Sequence, residues 1–476
     1  MKEPIVAFTC IFFVSILFLV SPASADYPMY RSGPSRNGVG TGSPALNSTQ
    51  LWTSNISFPI PYNGGSYTNS WSSPVVDDGV LYICAETDFV NILLQNPRNP
   101  EVADWADVYA FNATSGAQIW DYRGNTTQFV IGISTPAVAD GAVFFCFSDV
   151  VGALNDSNGA SLWNNTAVNY AYSSPAFVNG VVYTGETALN ATNGEIIWND
   201  SFGSVSYSAP AVSNSVVYVG TYDGNLYALN ATNGDRIWSF TTGVTINTPA
   251  VVNGVVYASS DDGNLYALKA STGLKLWSFN TTSFTTSPAV TNEAVYFCEP
   301  LPRSLPNATV LYALNVTNGA ELWNYTVGNY GDVASPVVVG GIVYACDVND
   351  IFGLNAVNGT LVWSHIADNY PDWTDPAVAN GVLYDAGANG GEIEQVYAYG
   401  IPSTPSSTPT LTSLTSHIFS TPEVLGVGLA IFVIIVVFAV IVLRKRSSSN
   451  NRTKEKDFPK RGKLLETSHS INLSKV

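Results

Sequence analysis

The feature that most constrains this chain is an internal repeat of about 39 residues. The stretch from Asp223 to Trp238 returns as Asp262 to Trp277, and both copies contain Asp-Gly-Asn-Leu-Tyr-Ala-Leu. A Pro-Ala or Pro-Val step starts eight such units, and a Trp ends seven of them. A unit of this length cannot bury its own faces, so neighbouring copies must stack on one another. The eight steps begin at Pro74, Pro136, Pro175, Pro210, Pro249, Pro288, Pro336 and Pro376.

Each unit has the pattern of four short strands, here named A to D. Strand A follows the proline, and an Asn-Gly turn of the kind at Asn253 leads into strand B. Strand C is Leu-Tyr-Ala-Leu, a turn of the Asn-Ala-Thr-Asn-Gly type follows, and strand D carries the Trp. Four strands in about 40 residues are typical of a propeller blade. The sequence therefore predicts an all-β, eight-bladed β-propeller of four-stranded blades.

The eighth unit stops after its strand C, at Val396 to Tyr399, without a strand D or a Trp. The segment Gln50 to Thr53 has the pattern of a strand D with no strands before it. We expect this N-terminal strand to complete the last blade, because pairing the two ends removes an open sheet edge. A seven-bladed ring with one additional unit is the alternative.

The two ends of the chain predict export and anchoring. Residues 1–25 contain an apolar run and end in Ala-Ser-Ala, which is typical of a signal peptide, with an uncleaved N-terminal anchor as the alternative. Val424 to Leu443 are 20 uncharged residues, long enough for a transmembrane helix. The Ser/Thr/Pro-rich residues 401–422 are predicted to form a stalk. Because the basic tail 444–476 follows the anchor, we expect a single-pass type I protein of the cell membrane.

Net charge divides at the predicted membrane. The whole chain has a net charge of −17, whereas residues 26–422 carry 31 acidic and 8 basic residues and the tail carries 3 and 10. The predicted extracellular part, with its propeller at residues 26–400, is therefore strongly acidic. Nucleic acid is excluded as a partner, because phosphate binding requires a basic surface.

The motifs Ser-Pro-Ala-Val, Asn-Gly-Val-Val-Tyr and Asp-Gly-Asn-Leu-Tyr-Ala-Leu-Asn-Ala-Thr-Asn-Gly, with the closing Trp, resemble the pyrroloquinoline-quinone-like (PQQ-like) β-propeller repeat. The resemblance covers roughly residues 27–400 and implies the fold. Together with the many Asn-x-Ser/Thr sequons and the stalk, it implies a surface protein of an archaeal cell envelope. Quinone dehydrogenases of this type use adjacent cysteines, a calcium ion, an Asp base and a stacked Trp. This sequence has no adjacent cysteine pair, so no cofactor is predicted, and PQQ or calcium is the alternative.

Four cysteines occupy one position of the repeat. Each lies ten residues after the proline of its unit, where the other units have Gly, Ser or Ala. We predict free, buried thiols, because equivalent strands of different blades lie too far apart for a disulfide. His365 follows Trp363 by two residues and is predicted to be exposed. The four cysteines are Cys84, Cys146, Cys298 and Cys346.

The B-to-C and D-to-A connections lie on one face of such a ring, and they contain the longest segments: 56–70, 86–107 and 299–309. Function is expected on this face. Aromatic and acidic residues near the prolines are the ligand-binding candidates, with capping of the core as the equal alternative. Further acidic residues in these loops favour a solvated surface over calcium binding. The candidates are Trp71, Trp373, Tyr172, Tyr207, Asp372 and Asp375; the further acids are Glu86, Asp88, Asp104, Asp107, Glu299, Asp347, Asp350, Asp385, Glu392 and Glu394.

On the opposite face, sequons start several C-to-D turns. Glycosylation there would cover one face and leave the other free to bind, although Asn in such turns is also favoured for its turn chemistry. The candidates are Asn112, Asn155, Asn190, Asn230 and Asn315. We therefore expect a non-catalytic binding or scaffold module for a protein or glycan partner. The alternatives are a quinone- or metal-dependent oxidoreductase and an extracellular sensor that signals through a cytoplasmic partner.

Overall fold

The structure is a computed structural model, and the chain divides into two compact units, Met1–Pro402 and Ser403–Val476. All described residues belong to the first unit. The predicted signal peptide, stalk, transmembrane helix and tail lie outside the described residues. The structure describes residues 32–33, 36, 38–40, 42–46, 49–56, 66–90, 105–125, 134–147, 150–168, 173–200, 208–283, 285–301, 308–328, 333–346, 350–366, 374–388 and 394–400.

Eight antiparallel sheets form a ring of eight blades, as the repeat predicts. Strand A of each blade is innermost, and neighbouring A strands contact one another around the ring. Blade 8 begins with the first strand of the chain, β1 (Gln50–Ile56). Blade 1 contains β2 (Ser66–Trp71), β3 (Val75–Asp77), β4 (Val80–Val90), β5 (Trp105–Asn112) and β6 (Gln118–Asn125), and blade 2 contains β7 (Ala137–Ala139), β8 (Ala142–Phe147), β9 (Val150–Asn155) and β10 (Ser161–Asn165).

The remaining blades repeat the same order of strands. Blade 3 contains β11 (Ala176–Val178), β12 (Val181–Thr184), β13 (Thr187–Asn190) and β14 (Ile196–Asn199), and blade 4 contains β15 (Ala211–Ser213), β16 (Val216–Gly220), β17 (Asn225–Asn230) and β18 (Arg236–Thr241). Blade 5 contains β19 (Ala250–Val252), β20 (Val255–Ser260), β21 (Asn264–Lys269) and β22 (Lys275–Asn280), and blade 6 contains β23 (Ala289–Val290), β24 (Ala294–Pro300), β25 (Ala308–Asn315) and β26 (Glu321–Gly328). Blade 7 contains β27 (Val337–Val339), β28 (Ile342–Cys346), β29 (Asp350–Asn355) and β30 (Leu361–Ile366), and blade 8 is completed by β31 (Ala377–Ala379), β32 (Val382–Ala388) and β33 (Glu394–Gly400).

The ring closes through its N-terminal strand. Strand β1 pairs antiparallel with β33, and Trp52 lies opposite Ala398. This pairing supplies the missing strand D of blade 8 and confirms the prediction made from Gln50 to Thr53. The last blade is thus assembled from the two ends of the propeller, and its outer edge is paired like the others.

The Trp of strand D connects each blade to the next. In all eight blades the indole Nε1 donates a hydrogen bond to a carbonyl oxygen of the next blade, at 2.8 to 3.2 Å. The indole ring also packs on the glycine of the C-to-D turn in the next blade. At Gly159 the φ angle is +68°, and an added Cβ would lie 2.6 Å from Trp120. The eight pairs are Trp52–Ala113, Trp120–Asp156, Trp163–Ala191, Trp198–Ala231, Trp238–Ala270, Trp277–Val316, Trp323–Ala356 and Trp363–Ala45.

The last of these pairs reveals an N-terminal segment that the repeat does not predict. Ala45 precedes β1, and its carbonyl takes the place of the C-to-D turn that blade 8 lacks. Further up the same segment, Val39 forms a parallel bridge with Val338 on the inner edge of β27. The described residues from Arg36 to Ala45 therefore run along the central channel, from one face of the ring to the other.

The two faces differ in the length of their connections. We call the side with the A-to-B and C-to-D turns the turn face, and the side with the B-to-C and D-to-A connections the loop face. In blade 1, β4 is extended, and its second half pairs with β2. The predicted long loops 56–70 and 86–107 are therefore partly strand, which corrects their assignment as irregular connections. Within the described ranges, no helix is long and apolar enough to span a membrane.

Candidate functional site

A ring of hydrogen bonds surrounds the channel at the loop face. It is made by the residue that precedes the proline at the start of each unit. The backbone N–H of this residue donates to the side chain of the equivalent residue in the next blade. The bond is formed at five junctions, and Ala209 has no side-chain oxygen with which to accept one. The bonds are Ser73 N to Thr135 Oγ1 (3.2 Å), Thr135 N to Ser174 Oγ (3.0 Å), Ala209 N to Thr248 Oγ1 (3.0 Å), Ser335 N to Asp375 Oδ1 (2.6 Å) and Asp375 N to Ser73 Oγ (3.1 Å).

Two of the six ligand-binding candidates can be placed. Asp375 lies in this ring and joins blades 7, 8 and 1 through the bonds to Ser335 and Ser73. Trp71 ends β2, is partly buried and packs against the core shared by blades 7, 8 and 1. The other four candidates, Trp373, Tyr172, Tyr207 and Asp372, lie outside the described residues. Ligand binding by these six residues thus stays a prediction.

The loop-face end of the channel is occupied by Arg36, which is fully buried. Its Nε donates to the carbonyl of Pro210 at 3.1 Å, and its Nη2 donates to the carbonyls of Ser174 at 2.9 Å and Pro175 at 2.6 Å. Blades 3 and 4 are therefore connected by a side chain from outside the repeat. Sequence reasoning missed it, although Arg36 is one of only eight basic residues between residues 26 and 422.

Three acids assigned to a solvated surface are buried, which corrects that prediction. Asp107 accepts hydrogen bonds from Arg123 at 3.3 Å and from the Tyr109 hydroxyl at 3.1 Å. Glu299 accepts a hydrogen bond from Thr282 Oγ1 at 2.6 Å. As whole residues, Asp107, Glu299 and Asp385 are at most 2% exposed. Their burial follows from strand extensions and loop packing, which the local sequence does not reveal.

Asp385 lies at the seam between blades 7 and 8. Its Oδ1 accepts hydrogen bonds from Thr374 Oγ1 at 2.7 Å and from the Ala386 N–H at 2.7 Å, and Cys346 Sγ donates to its Oδ2 at 3.1 Å. Burial raises the pKa of Asp385 to about 7, although these hydrogen bonds act to lower it. Nearby, His365 is partly buried against Tyr399, with ring centroids 4.7 Å apart, and is not an exposed residue as predicted.

The four cysteines are free and buried, which confirms the sequence prediction. They lie on the B strands of four different blades. Burial raises the pKa of the Cys146 thiol to about 12 and that of Cys84 well above its usual range. These thiols are therefore protonated and unreactive at neutral pH.

The glycosylation candidates all lie in C-to-D turns on the turn face. In each, the Asn Oδ1 accepts a hydrogen bond from the backbone N–H two residues later, so the asparagines provide turn chemistry. These hydrogen bonds use Oδ1. Attachment of a glycan to Nδ2 is therefore compatible with the turn. Glycosylation of Asn112, Asn155, Asn190, Asn230 and Asn315 stays a prediction.

A polar cavity of about 210 Å³ opens on the loop face between blades 4 and 5. It was not predicted, because its wall combines two blades and a D-to-A connection. Tyr222 stands at its rim with 64% of its surface exposed. None of the nine lining residues carries a charge: Ser208, Gly220, Thr221, Tyr222, Thr245, Ile246, Asn247, Thr248 and Ser287.

The described residues do not fit the quinone and calcium that the resemblance implies. The cysteines are distributed one to a blade and cannot form an adjacent pair. The buried carboxylates Asp107, Glu299 and Asp385 lie in blades 1, 6 and 8, each engaged by its own donors. Across the described ranges, no three His, Cys, Asp or Glu side chains are grouped so that they could hold a metal ion.

Solved structures share the fold at low identity. A quinohemoprotein alcohol dehydrogenase from Pseudomonas putida HK5 is 13% identical over 80% of this chain and 81% of its own, with a TM-score of 0.59. The computationally designed protein Ika8 is 14% identical over 75% and 100%, with a TM-score of 0.55. BamB from Moraxella catarrhalis is 21% identical over 63% and 92%, with a TM-score of 0.49. The first two alignments show the propeller fold alone.

Among curated proteins, no sequence matches the chain significantly. A family model described as Outer membrane protein assembly factor BamB, built on PQQ-like repeats, matches residues 104–186 and 186–398. The matched residues lie in blades 1 to 8 and make up more than half of the chain. The protein therefore belongs to this family of PQQ-like β-propellers.

Proposed function

We propose that the protein is a membrane-anchored, non-catalytic binding module that holds a protein or glycan partner on its loop face at the cell surface. The observation that carries this proposal is the difference between the two faces. The turn face consists of tight turns built on asparagine and glycine, as at Asn190 and Gly194. The loop face contains the polar cavity and the exposed Tyr222.

The channel supports the same proposal. Because Arg36 and the residues that follow it run along the channel, ligands reach the propeller at its surface connections. The Cys346 thiol and the buried carboxylates Asp107, Glu299 and Asp385 are engaged in structural hydrogen bonds. The family description names an outer membrane protein assembly factor, and a binding module is compatible with that description.

The position of the anchor fits this role. In the sequence, the predicted stalk and transmembrane helix follow the propeller directly, and a Ser/Thr/Pro-rich stretch of this kind behaves as an extended spacer. Signalling through the short basic tail would require a cytoplasmic partner, and this sensor function is retained only as an alternative.

Site-specific photo-crosslinking tests the proposal. A benzophenone amino acid is placed at Tyr222 on the loop face or at Leu274 on the turn face of the full-length protein, which is then irradiated in its native membrane. Leu274 is the matched control because it is 66% exposed, close to the 64% of Tyr222. We expect a discrete crosslinked product from position 222 and none from position 274. Equal products from both positions, or a product from 274 alone, would contradict the proposal.

A further inference from the structure

The cavity between blades 4 and 5 has rigid walls. Thr221 Oγ1 donates to Asp223 Oδ1 at 2.6 Å, which fixes the B-to-C turn of blade 4. The N–H of Ile246 donates to the carbonyl of Thr221 at 3.2 Å, which ties the D-to-A connection to that turn. On the far side, Asn247 Nδ2 donates to the carbonyl of Thr285 at 2.9 Å. The site is therefore formed before any ligand arrives.

Glycine at position 220 lets the D-to-A connection pack directly against strand B of blade 4 at the base of the cavity. An added Cβ there would lie 2.9 Å from Ile246 Cγ2 and 3.1 Å from the carbonyl oxygen of Asn247. The corresponding strand-B position holds a cysteine in blades 1, 2, 6 and 7 and a glycine in blade 3, so the repeat accepts several small residues there. The base of the cavity is thus formed by the close contact of two backbone segments.

The lining defines the chemical class of the ligand. Thr245, Asn247, Thr248 and Ser287 contribute hydroxyl and amide groups that can hydrogen-bond a ligand. No charge is available in the lining to pair with an ionised ligand. The volume of about 210 Å³ is enough for several water molecules or for one sugar ring. The exposed ring of Tyr222 offers a flat surface for the C–H face of such a ring.

We propose that this cavity binds one neutral pyranose unit, either free or at the end of a glycan. The inference rests on the proposed binding function and names its ligand at the loop face. Hydrogen bonds from the lining select a neutral, hydroxyl-rich molecule, and Tyr222 covers one face of its ring. Charged sugars are disfavoured, because their charge would be partly desolvated without a partner.

The test uses the full-length protein in detergent, with saturation-transfer NMR and calorimetry. The probes are methyl α-D-glucopyranoside, methyl α-D-mannopyranoside, methyl β-D-galactopyranoside and N-acetylglucosamine. Glucuronate and glucosamine are the charged arms, and acetyl-Asn-Ser-amide is the peptide arm. We expect at least one neutral sugar to bind with a Kd of about 1 mM, which is typical of a small ligand with few contacts.

Two variants connect binding to the cavity. Tyr222→Ala removes the stacking surface and is expected to weaken binding about fivefold. Thr245→Phe places a ring inside the cavity and is expected to abolish binding, with thermal unfolding recorded to show that the variant is folded. Leu274→Ala removes an equally exposed apolar side chain on the turn face and should leave the Kd unchanged.

The outcomes separate this inference from the proposed function. If no neutral sugar binds, or if the peptide or charged arms bind as well, the saccharide assignment is wrong. It is also wrong if the folded Thr245→Phe variant binds sugar like the wild type. If position 222 gives a crosslinked product but no sugar binds, the saccharide assignment is overturned and the proposed binding function is not. The absence of both would overturn the binding function as well.

Discussion

At the scale of single residues, Asp385 is the least expected group in the propeller. Its carboxyl is fully buried among Thr374, Cys346 and Ala386, and burial raises its pKa to about 7. An aspartate in the unfolded chain titrates near its ordinary value of about 4. Between these two pH values the folded protein holds a proton that the unfolded chain has lost, so stability falls as the pH rises.

We predict that Asp385→Asn reduces this pH dependence. The amide is neutral at every pH, and its Oδ1 can accept the same hydrogen bonds from Thr374 and Ala386. A pKa difference of about three units corresponds to on the order of 4 kcal/mol, so the wild type should lose up to this amount between pH 4 and pH 8 and the variant much less. Urea titrations at several pH values measure the difference.

The exposed turn residue Asp235 provides the control substitution, Asp235→Asn, which removes a carboxylate and leaves the buried site of Asp385 as it is. A wild-type profile that is flat between pH 4 and pH 8, or an Asp385→Asn profile parallel to a sloping one, would show that Asp385 does not titrate as its burial indicates.

At the scale of elements, the repeated parts were predictable and the others were not. The strands and turns recur from unit to unit, so the pattern alone identifies them. The pairing of Gln50 to Thr53 with the last blade follows from the same pattern, because the last unit lacks a strand D. The buried cysteines follow from the same offsets. His365 and the buried acids were misassigned, because their burial depends on the neighbouring blade and on long connections that differ from blade to blade.

The N-terminal segment could not be predicted for a related reason. It occurs once, has no periodicity, and makes its contacts with residues more than 130 positions away, such as the carbonyls of Ser174 and Pro175. The cavity is equally hidden, since Gly220 and Ser287 approach only when the blades are arranged in the ring. The propeller fold could be predicted because its units repeat, whereas the candidate site could not, because it depends on residues that do not repeat.

We predict that Arg36→Met destabilises the propeller strongly. The substitution leaves the carbonyls of Ser174, Pro175 and Pro210 without their donor in a buried site, which should lower the free energy of unfolding by about 3 kcal/mol. Urea titration followed by tryptophan fluorescence measures this loss, because the Trp residues report on contacts between blades.

The matched control is Arg236→Met. Arg236 makes two hydrogen bonds, both to Asp200, where Arg36 makes three. The side chain of Arg236 is 45% exposed, and such pairs contribute about 1 kcal/mol or less. If the two variants lose similar stability, the channel contacts of Arg36 are not important for holding the ring together.

At the scale of the whole molecule, the chain combines an acidic propeller with a basic tail. Residues 26–422 carry 31 acidic and 8 basic residues, and the tail after Leu443 carries 3 and 10. A charge division of this kind, on two sides of an apolar stretch, is what we expect of a protein whose two parts lie on opposite sides of a membrane. The acidic propeller is a closed ring, because its first strand, β1, and its last strand, β33, pair in blade 8.

We predict that residues 424–443 are the only element holding the protein in the membrane. A chain that ends at Pro422 should be recovered in the soluble fraction after carbonate washing, because it lacks the apolar stretch. A chain that ends at Arg446 is the control: it lacks most of the tail, keeps the stretch and its flanking basic residues, and should remain in the membrane pellet. If the chain ending at Pro422 also remains in the pellet, the N-terminal run from Ile5 to Val20 is an uncleaved anchor and not a signal peptide.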